Sequence, residues 1–186
     1  MIVLVDQDQV ISNFEGQFLT VLRQRYPKLH YIPLEQRTTH KLREQYVPLH
    51  GEHFREIIKE IETEPGFFLS LPPIPGSLEA VTEIAKKHDV FICTAPLKEH
   101  KYCVGEKYEW IERYLGYEWT RRVILTLDKT LIRGDRLIDD KPEITGLVQP
   151  SWEHVMFSFA YNLHIAGKRR IKEDWSNWKE VLPELL

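Results

Sequence analysis

Short runs of branched apolar residues alternate along the chain with longer stretches whose apolar positions repeat every three to four residues. The first run, Ile2 to Val5, is continuous. A strand apolar on both faces is buried on both faces, the pattern of a parallel sheet. Comparable runs at 90–93, 123–125, 136–138 and 155–157 bring the predicted strands to five. Leu78, Val81, Ile84 and Ala85 hold helical spacing behind Ser77, a residue type suited to capping a helix start. Trp110, Ile111, Tyr114 and Leu115 do the same before Gly116, a helix stop. Ser176 is placed to cap a last helix through Trp178, Val181 and Leu182. Strands alternating with helices predict an α/β fold around a parallel sheet.

The alternation breaks once. No strand pattern occurs from about Asn13 to Leu71, where Phe14, Phe18, Leu19 and Leu22 share one helical face and Phe54, Ile57, Ile58 and Ile61 share another. A block of about sixty residues is too long for an ordinary connection. It reads as an inserted helical cap, closed by Pro65-Gly66 and the stiff Pro72-Pro73-Ile74-Pro75-Gly76 turn. The predicted organisation is a catalytic core of 1–12 and 75–186 with a cap of 13–74.

Composition narrows the class. The chain has 186 residues, 42% hydrophobic and 28% charged, with a net charge of −3. That balance fits a globular domain, and the acidic sign argues against a nucleic-acid polymer or an anionic membrane as partner. No apolar run approaches the ~18 residues of a membrane span. The start, MIVLVDQDQV, lacks the basic and small-residue features of a signal peptide, and the only cysteines are Cys93 and Cys103. A cytoplasmic protein with reduced thiols is the expectation. The basic run Lys168-Arg169-Arg170 reads as a solvated loop.

Chemistry concentrates at predicted strand ends. Asp6 and Asp8 follow the first strand directly, and ligands of parallel sheets bind outside the carboxyl ends of the strands. Paired hard oxygens there suit Mg²⁺, although a lone DxD is as readily a solvated acidic turn. The second strand ends in Thr94, followed by Ala95-Pro96, and the fourth ends in Asp139-Asp140. Asp128-Lys129-Thr130 between them supplies a cation. Singly, Thr94 is a strand end and Lys129 a solvated lysine; in this order they can converge on one phosphate and one metal ion.

This order resembles the haloacid dehalogenase (HAD) superfamily of phosphotransferases: Asp6-Gln7-Asp8-Gln9-Val10-Ile11 meets its first motif, Thr94 its second, Lys129 its third and Asp139-Asp140 its fourth. The stretches NFEGQFL, FICTAPLKEHKYCVGEKYEWIERYLG, VILTLDKTLIRGDRLIDDKPEITG and PSWEHVMFS are similar to the 5′(3′)-deoxyribonucleotidases within it. The resemblance implies a HAD-like Rossmannoid α/β/α core with a five-stranded parallel sheet and a small helical cap. It implies a Mg²⁺-dependent phosphomonoesterase acting on (deoxy)nucleoside monophosphates, and a homodimer. Asp6 would be the nucleophile and Asp8 the acid and base. Asp6, the Asp8 carbonyl and Asp140 would hold Mg²⁺, with Asp139 behind them, and Thr94 and Lys129 would hold phosphate. Phe14 aligns with an aromatic near the base, or is core packing, and Lys98 with a substrate-contacting lysine.

Four departures stand out. Gln9 replaces the usual glycine, Ala95 a frequent serine and Leu127 an arginine. His40-Lys41-Leu42 falls where relatives carry an apolar, partly aromatic segment against the base, so base preference does not transfer, and Lys41 offers a cation to a second anionic group. Two other readings stay open: a phosphatase for another small phosphomonoester such as a sugar phosphate, and a non-catalytic Mg²⁺ or nucleotide-binding module. A zinc site from Cys93, His100 and Cys103 lacks a paired-ligand spacing and a fourth ligand.

Overall fold

The computed structural model describes Met1–Leu186. One sheet is built from β1 (Ile2–Val5), β2 (Asp89–Thr94), β3 (Val123–Leu125), β4 (Arg136–Asp139), β5 (Glu153–Phe157) and β6 (Arg170–Ile171), all parallel, in the order β3-β2-β1-β4-β5-β6. The chain runs outward from β1 through β2 to β3, then returns to lay β4 on the other side of β1. That reversal opens a crevice beyond the carboxyl ends of β1 and β4, where a ligand site belongs. The sheet has six strands, one more than the apolar runs predict. The extra strand, β6, begins in the supposed basic loop. Its edge position is held by charge: Arg169 forks onto both oxygens of Glu153 at 2.7 Å and reaches Glu184 at 2.7 Å. A two-residue strand with only Ile171 buried leaves no apolar run to read.

The faces of the sheet are unequal. Val3 and Val5 point into a large cluster with Val90, Ile92, Ile138 and Val155, packed by α4 (Ser77–Ile84), α5 (Cys103–Leu115) and α7 (Trp178–Val181). Leu4, Leu137 and Cys93 point the other way, into a small cluster closed by Trp152 and flanked by Ile132 and Ile144 from connecting segments. Strand side chains alternate between faces, so this split follows from the register Leu4↔Leu137 and Val5↔Ile138. Gly116 ends α5 at φ 97°, as expected of a helix stop. α6 (Tyr117–Thr120) follows it directly. Ser77 does not cap α4; Gly76 holds that place at φ 75°, and the Ser77 hydroxyl donates to the Ile74 carbonyl at 2.7 Å. Ser176 likewise precedes the cap position of α7, which Asn177 holds.

Between β1 and α4 the chain is helical: α1 (Phe14–Arg25), α2 (Leu42–His50) and α3 (Phe54–Glu62), with short 3₁₀ turns. Asn13 caps α1, its side chain accepting from Gly16 N at 2.9 Å. The chain enters and leaves this block side by side: Asn13 N donates to Pro72 O at 2.8 Å and Ile74 N to Ile11 O at 2.8 Å. Phe18, Leu22, Phe54, Ile58 and Ile61 bury the predicted faces in the same cluster that packs the sheet. Inside the block lies a fully buried ion pair. Arg37 donates to both oxygens of Glu15, at 2.8 and 3.0 Å, and its remaining donors reach Gln45 and the Thr39 carbonyl. Removing one partner strands the other charge in the core. Arg37→Met is therefore expected to lose about 3–5 kcal/mol in urea unfolding, and Glu15→Leu/Arg37→Met to recover part of that loss.

Candidate active site

The segment after β1 is set by its backbone. Asp6 N donates to Ile138 O at 2.9 Å, extending the contact with β4, and Gln7 O then gathers Ile11 N at 3.0 Å and Ser12 N at 2.9 Å into a tight turn. Gln7 is buried and its amide reaches back to the Lys107 carbonyl at 3.3 Å. Asp6 and Asp8, on either side of it, both line a cavity of about 460 Å³ beyond the strand ends. Gln9 is buried in the left-handed region at φ 61°, conformational space that glycine enters without cost. Its side-chain oxygen accepts from Glu15 N at 2.9 Å, so this departure from glycine ties the turn to the start of α1.

Carboxylate oxygens of Asp6, Asp139 and Asp140 all lie within 4.8 Å of one another. Lys129, nearly buried, sits between two of them, 2.9 Å from Asp6 Oδ1 and 2.6 Å from Asp139 Oδ2. Burial alone would discharge this lysine; Asp139 and Asp6 overcome that and hold it protonated. Asp6 is pushed up to about 6 by burial, with Asp139 and Asp8 adding to the effect and Lys129 opposing it. Asp140 rises well above the carboxylate range because it is buried and faces Asp139 and Asp6. Asp139 stays below that range: against its burial act Lys129 and the Lys141 N–H, 2.8 Å from Oδ1. Three hard oxygen donors with one lysine among them leave negative charge uncompensated, and that set fits a hard divalent cation.

A second lysine, which the motif reading did not single out, serves Asp8. Lys107 is fully buried; its Nζ lies 2.5 Å from Asp8 Oδ2 and 3.0 Å from Thr94 Oγ1. Cys103, Lys107, Trp110 and Ile111 form one buried stripe on α5, so a lysine at an apolar position was the available signal. Tyr161 was also not singled out. It is buried and donates to Asp140 Oδ2, while Asn162 holds the Asp140 carbonyl at 2.7 Å.

The helical block supplies the opposite wall. Phe14, His40, Lys41 and Leu42 line the cavity, together with Glu15, Arg43, Ile58, Glu62 and Phe68. Phe14 is half-buried and packs edge-on against Phe67 at 5.5 Å, so it serves both core and cavity. His40 Nε2 lies 3.6 Å from Asp140 Oδ2, but burial lowers the imidazole to about 4, so at neutral pH the contact is not an ion pair. Ala95 and Leu127 lie at the same cavity. Lys98 is not among the lining residues: Leu97 lines the cavity and Lys98, next to it, is exposed. Cys93 and Cys103 belong to the clusters on opposite faces of the sheet, so they cannot share a zinc ion. No helix is long and apolar enough to cross a membrane.

Residues 1–185 match the family described as "5' nucleotidase, deoxy (Pyrimidine), cytosolic type C protein". The human cytosolic-type 5′(3′)-deoxyribonucleotidase is 46% identical over 186 residues, 97% of this chain and 92% of the relative. The human mitochondrial 5′(3′)-deoxyribonucleotidase is 44% identical over 97% of this chain and 81% of its own. A haloacid dehalogenase-like family hydrolase from Xanthomonas campestris superposes with a TM-score of 0.50 at 16% identity, covering 100% of this chain and 95% of that one, a likeness of fold.

The raised carboxyls carry a stability consequence. In the metal-free protein Asp6 and Asp140 bind protons more tightly folded than unfolded, so stability falls as pH rises from the ordinary carboxylate range through about 6. Asp140→Asn removes one ionisable group from the crowd and keeps an oxygen for Tyr161. At pH 7 without metal its Tm is expected above wild type, by ~2–4 °C per kcal/mol relieved. An unchanged or lower Tm by calorimetry would contradict the crowding.

Proposed function

The chain belongs to the cytosolic type C family of 5′ nucleotidases, and from that membership we propose that it hydrolyses nucleoside monophosphates, deoxynucleotides among them, through a phosphoryl-aspartate on Asp6. The observation that carries the reading is the division of the two aspartates between two buried lysines at one cavity, Asp6 with Lys129 and Asp8 with Lys107. Gln7 N at 2.8 Å and Lys129 both approach Asp6 Oδ1, which leaves Oδ2 for attack. Attack by that oxygen on phosphorus forms the acyl phosphate as the ester P–O bond breaks, and the Asp8 carboxylic acid protonates the departing alkoxide. Asp8, now a carboxylate, takes a proton from water; the hydroxide attacks phosphorus, the Asp6–phosphorus bond breaks, and inorganic phosphate leaves. Lys129 and Thr94 hold phosphate oxygens as charge builds on them.

Lys107 holds the Asp8 side chain in place beside Thr94, and an entering phosphate would compete with Asp8 for both. Asp6, the Asp8 main-chain carbonyl and Asp140, with Asp139 behind them, would hold Mg²⁺, which when bound would supply further positive charge to the phosphate. We assign residues 13–74 as the cap, which keeps bulk water from the acyl phosphate and meets the nucleoside with Phe14, His40, Lys41 and Leu42. Buried, unpaired Cys93 and Cys103 support a cytoplasmic setting. The charged groups on the cap wall give weight to a second reading, another small phosphomonoester as substrate.

Phosphate release from nucleoside monophosphates and sugar phosphates, with Mg²⁺ and with chelator, separates these readings. Metal-dependent release from nucleotides is expected; release from sugar phosphates alone would move the substrate to the second reading. Asp6→Asn should abolish turnover while the folded protein persists. Lys107→Met should lower kcat by about 10²–10⁴, the range of a positioned acid–base group, and a rate within twofold of wild type would remove Lys107 from the mechanism.

A further inference from the structure

Six carboxylates line the cavity, and five are held by the protein. Lys129 serves Asp6 and Asp139, Lys107 serves Asp8, Tyr161 serves Asp140, and Arg37 serves Glu15. The sixth is Glu62, the last residue of α3, one turn after the cavity-lining Ile58. It is partly buried, and only burial and the charges of more distant groups act on it; no hydrogen bond reaches its carboxylate. Burial, with Glu15 and Asp8 adding to it, pushes this carboxyl up to about 7, and Arg43 opposes. Asp8 and Glu62 line the same cavity. A carboxylate partly withdrawn from water gains from a ligand that brings donors.

Phe14 and Phe68 line the cavity as well. They offer aromatic surface to the faces of a planar ring and leave its edge to be read by polar groups. We propose that Glu62 accepts hydrogen bonds from the base of the leaving nucleoside, and that the site favours nucleotides whose base carries an exocyclic amino group. The inference rests on the nucleotide reading above. Cytosine and adenine present an amino group at the edge where uracil, thymine and guanine present carbonyl oxygen. Above about pH 7, where Glu62 is an anion, its oxygens repel those carbonyls, so Glu62 would select both by attraction and by repulsion. Glu62 would then be a specificity residue, acting on the leaving group rather than on phosphorus.

The test compares kcat/KM, at a pH well above 7, for two pairs that differ at this edge, dCMP against dUMP and dAMP against dIMP, in wild type, Glu62→Gln and Glu62→Leu, with p-nitrophenyl phosphate as a substrate lacking a base. Wild type should prefer dCMP over dUMP and dAMP over dIMP by about tenfold, the scale of one hydrogen bond to a charged acceptor. Glu62→Leu should bring both ratios to about one, with Glu62→Gln between. Ratios do not depend on the fraction of enzyme folded; if Glu62→Leu fails to fold, wild type and Glu62→Gln decide. Wild-type ratios at or below one, or ratios unchanged in the variants, overturn the role of Glu62 and leave the nucleotide reading standing. Hydrolysis of p-nitrophenyl phosphate with none of the four nucleotides turned over overturns the nucleotide reading and this inference with it.

Discussion

Carboxylates from the ends of two neighbouring strands, Asp6 after β1 and Asp139 and Asp140 at the end of β4, meet within 4.8 Å of one another, two of them buried. Like charges at that separation and that depth repel strongly, and the surrounding structure answers the repulsion. Lys129 is drawn nearly out of solvent to stand between Asp6 and Asp139. Tyr161 covers Asp140, and Lys107 is buried to hold Asp8. The residual negative charge suits a hard cation, and the cost of gathering it falls on folding.

The sheet makes this crowding sustainable. β1 is fully buried over Val3, Leu4 and Val5 and is clamped between β2 and β4. A carboxylate at the end of such a strand cannot move away from its neighbour. The helical block is fixed to the same turn. Gln9 holds Glu15 N, Glu15 holds Arg37, and Arg37 reaches Gln45 on α2. A continuous set of hydrogen bonds therefore joins the acidic turn to the wall that faces the leaving group. On the far side Glu106, beside Lys107 on α5, accepts from Gly66 N at 2.7 Å and Phe68 N at 3.0 Å, so one turn of helix anchors both the lysine under Asp8 and an aromatic of the cavity wall.

Much of this was legible in the sequence, for a physical reason. Strands buried on both faces must be apolar throughout, so 2–5, 90–93 and 155–157 stand out, and acidic residues directly after 2–5 and 136–138 mark two strand ends. β6 was hidden because two residues at an edge, held by arginine–glutamate pairs, need no apolar run. Ser77 and Ser176 looked like caps by residue type, but capping depends on backbone conformation, and Gly76 took one position by adopting a positive φ. Lys107 was readable as a charge on the apolar stripe of α5, though only the fold shows that Asp8 lies above it. Lys98 lies outside the cavity lining because a one-residue step in a turn exchanges cavity for solvent. The role of Gln9 rests on its side chain meeting an N–H six residues later, which spacing cannot show.

The account centres on Asp6 as the atom that takes the phosphoryl group from within this crowd. Rapid acid quench of the enzyme turning over a nucleotide labelled at phosphorus tests that directly. The account predicts label covalently bound to the protein during turnover, released by hydroxylamine as an acyl phosphate would be, mapped to Asp6 and absent in Asp6→Asn. Full turnover with no label on the protein at any quench time, or label mapped to another residue, would contradict it.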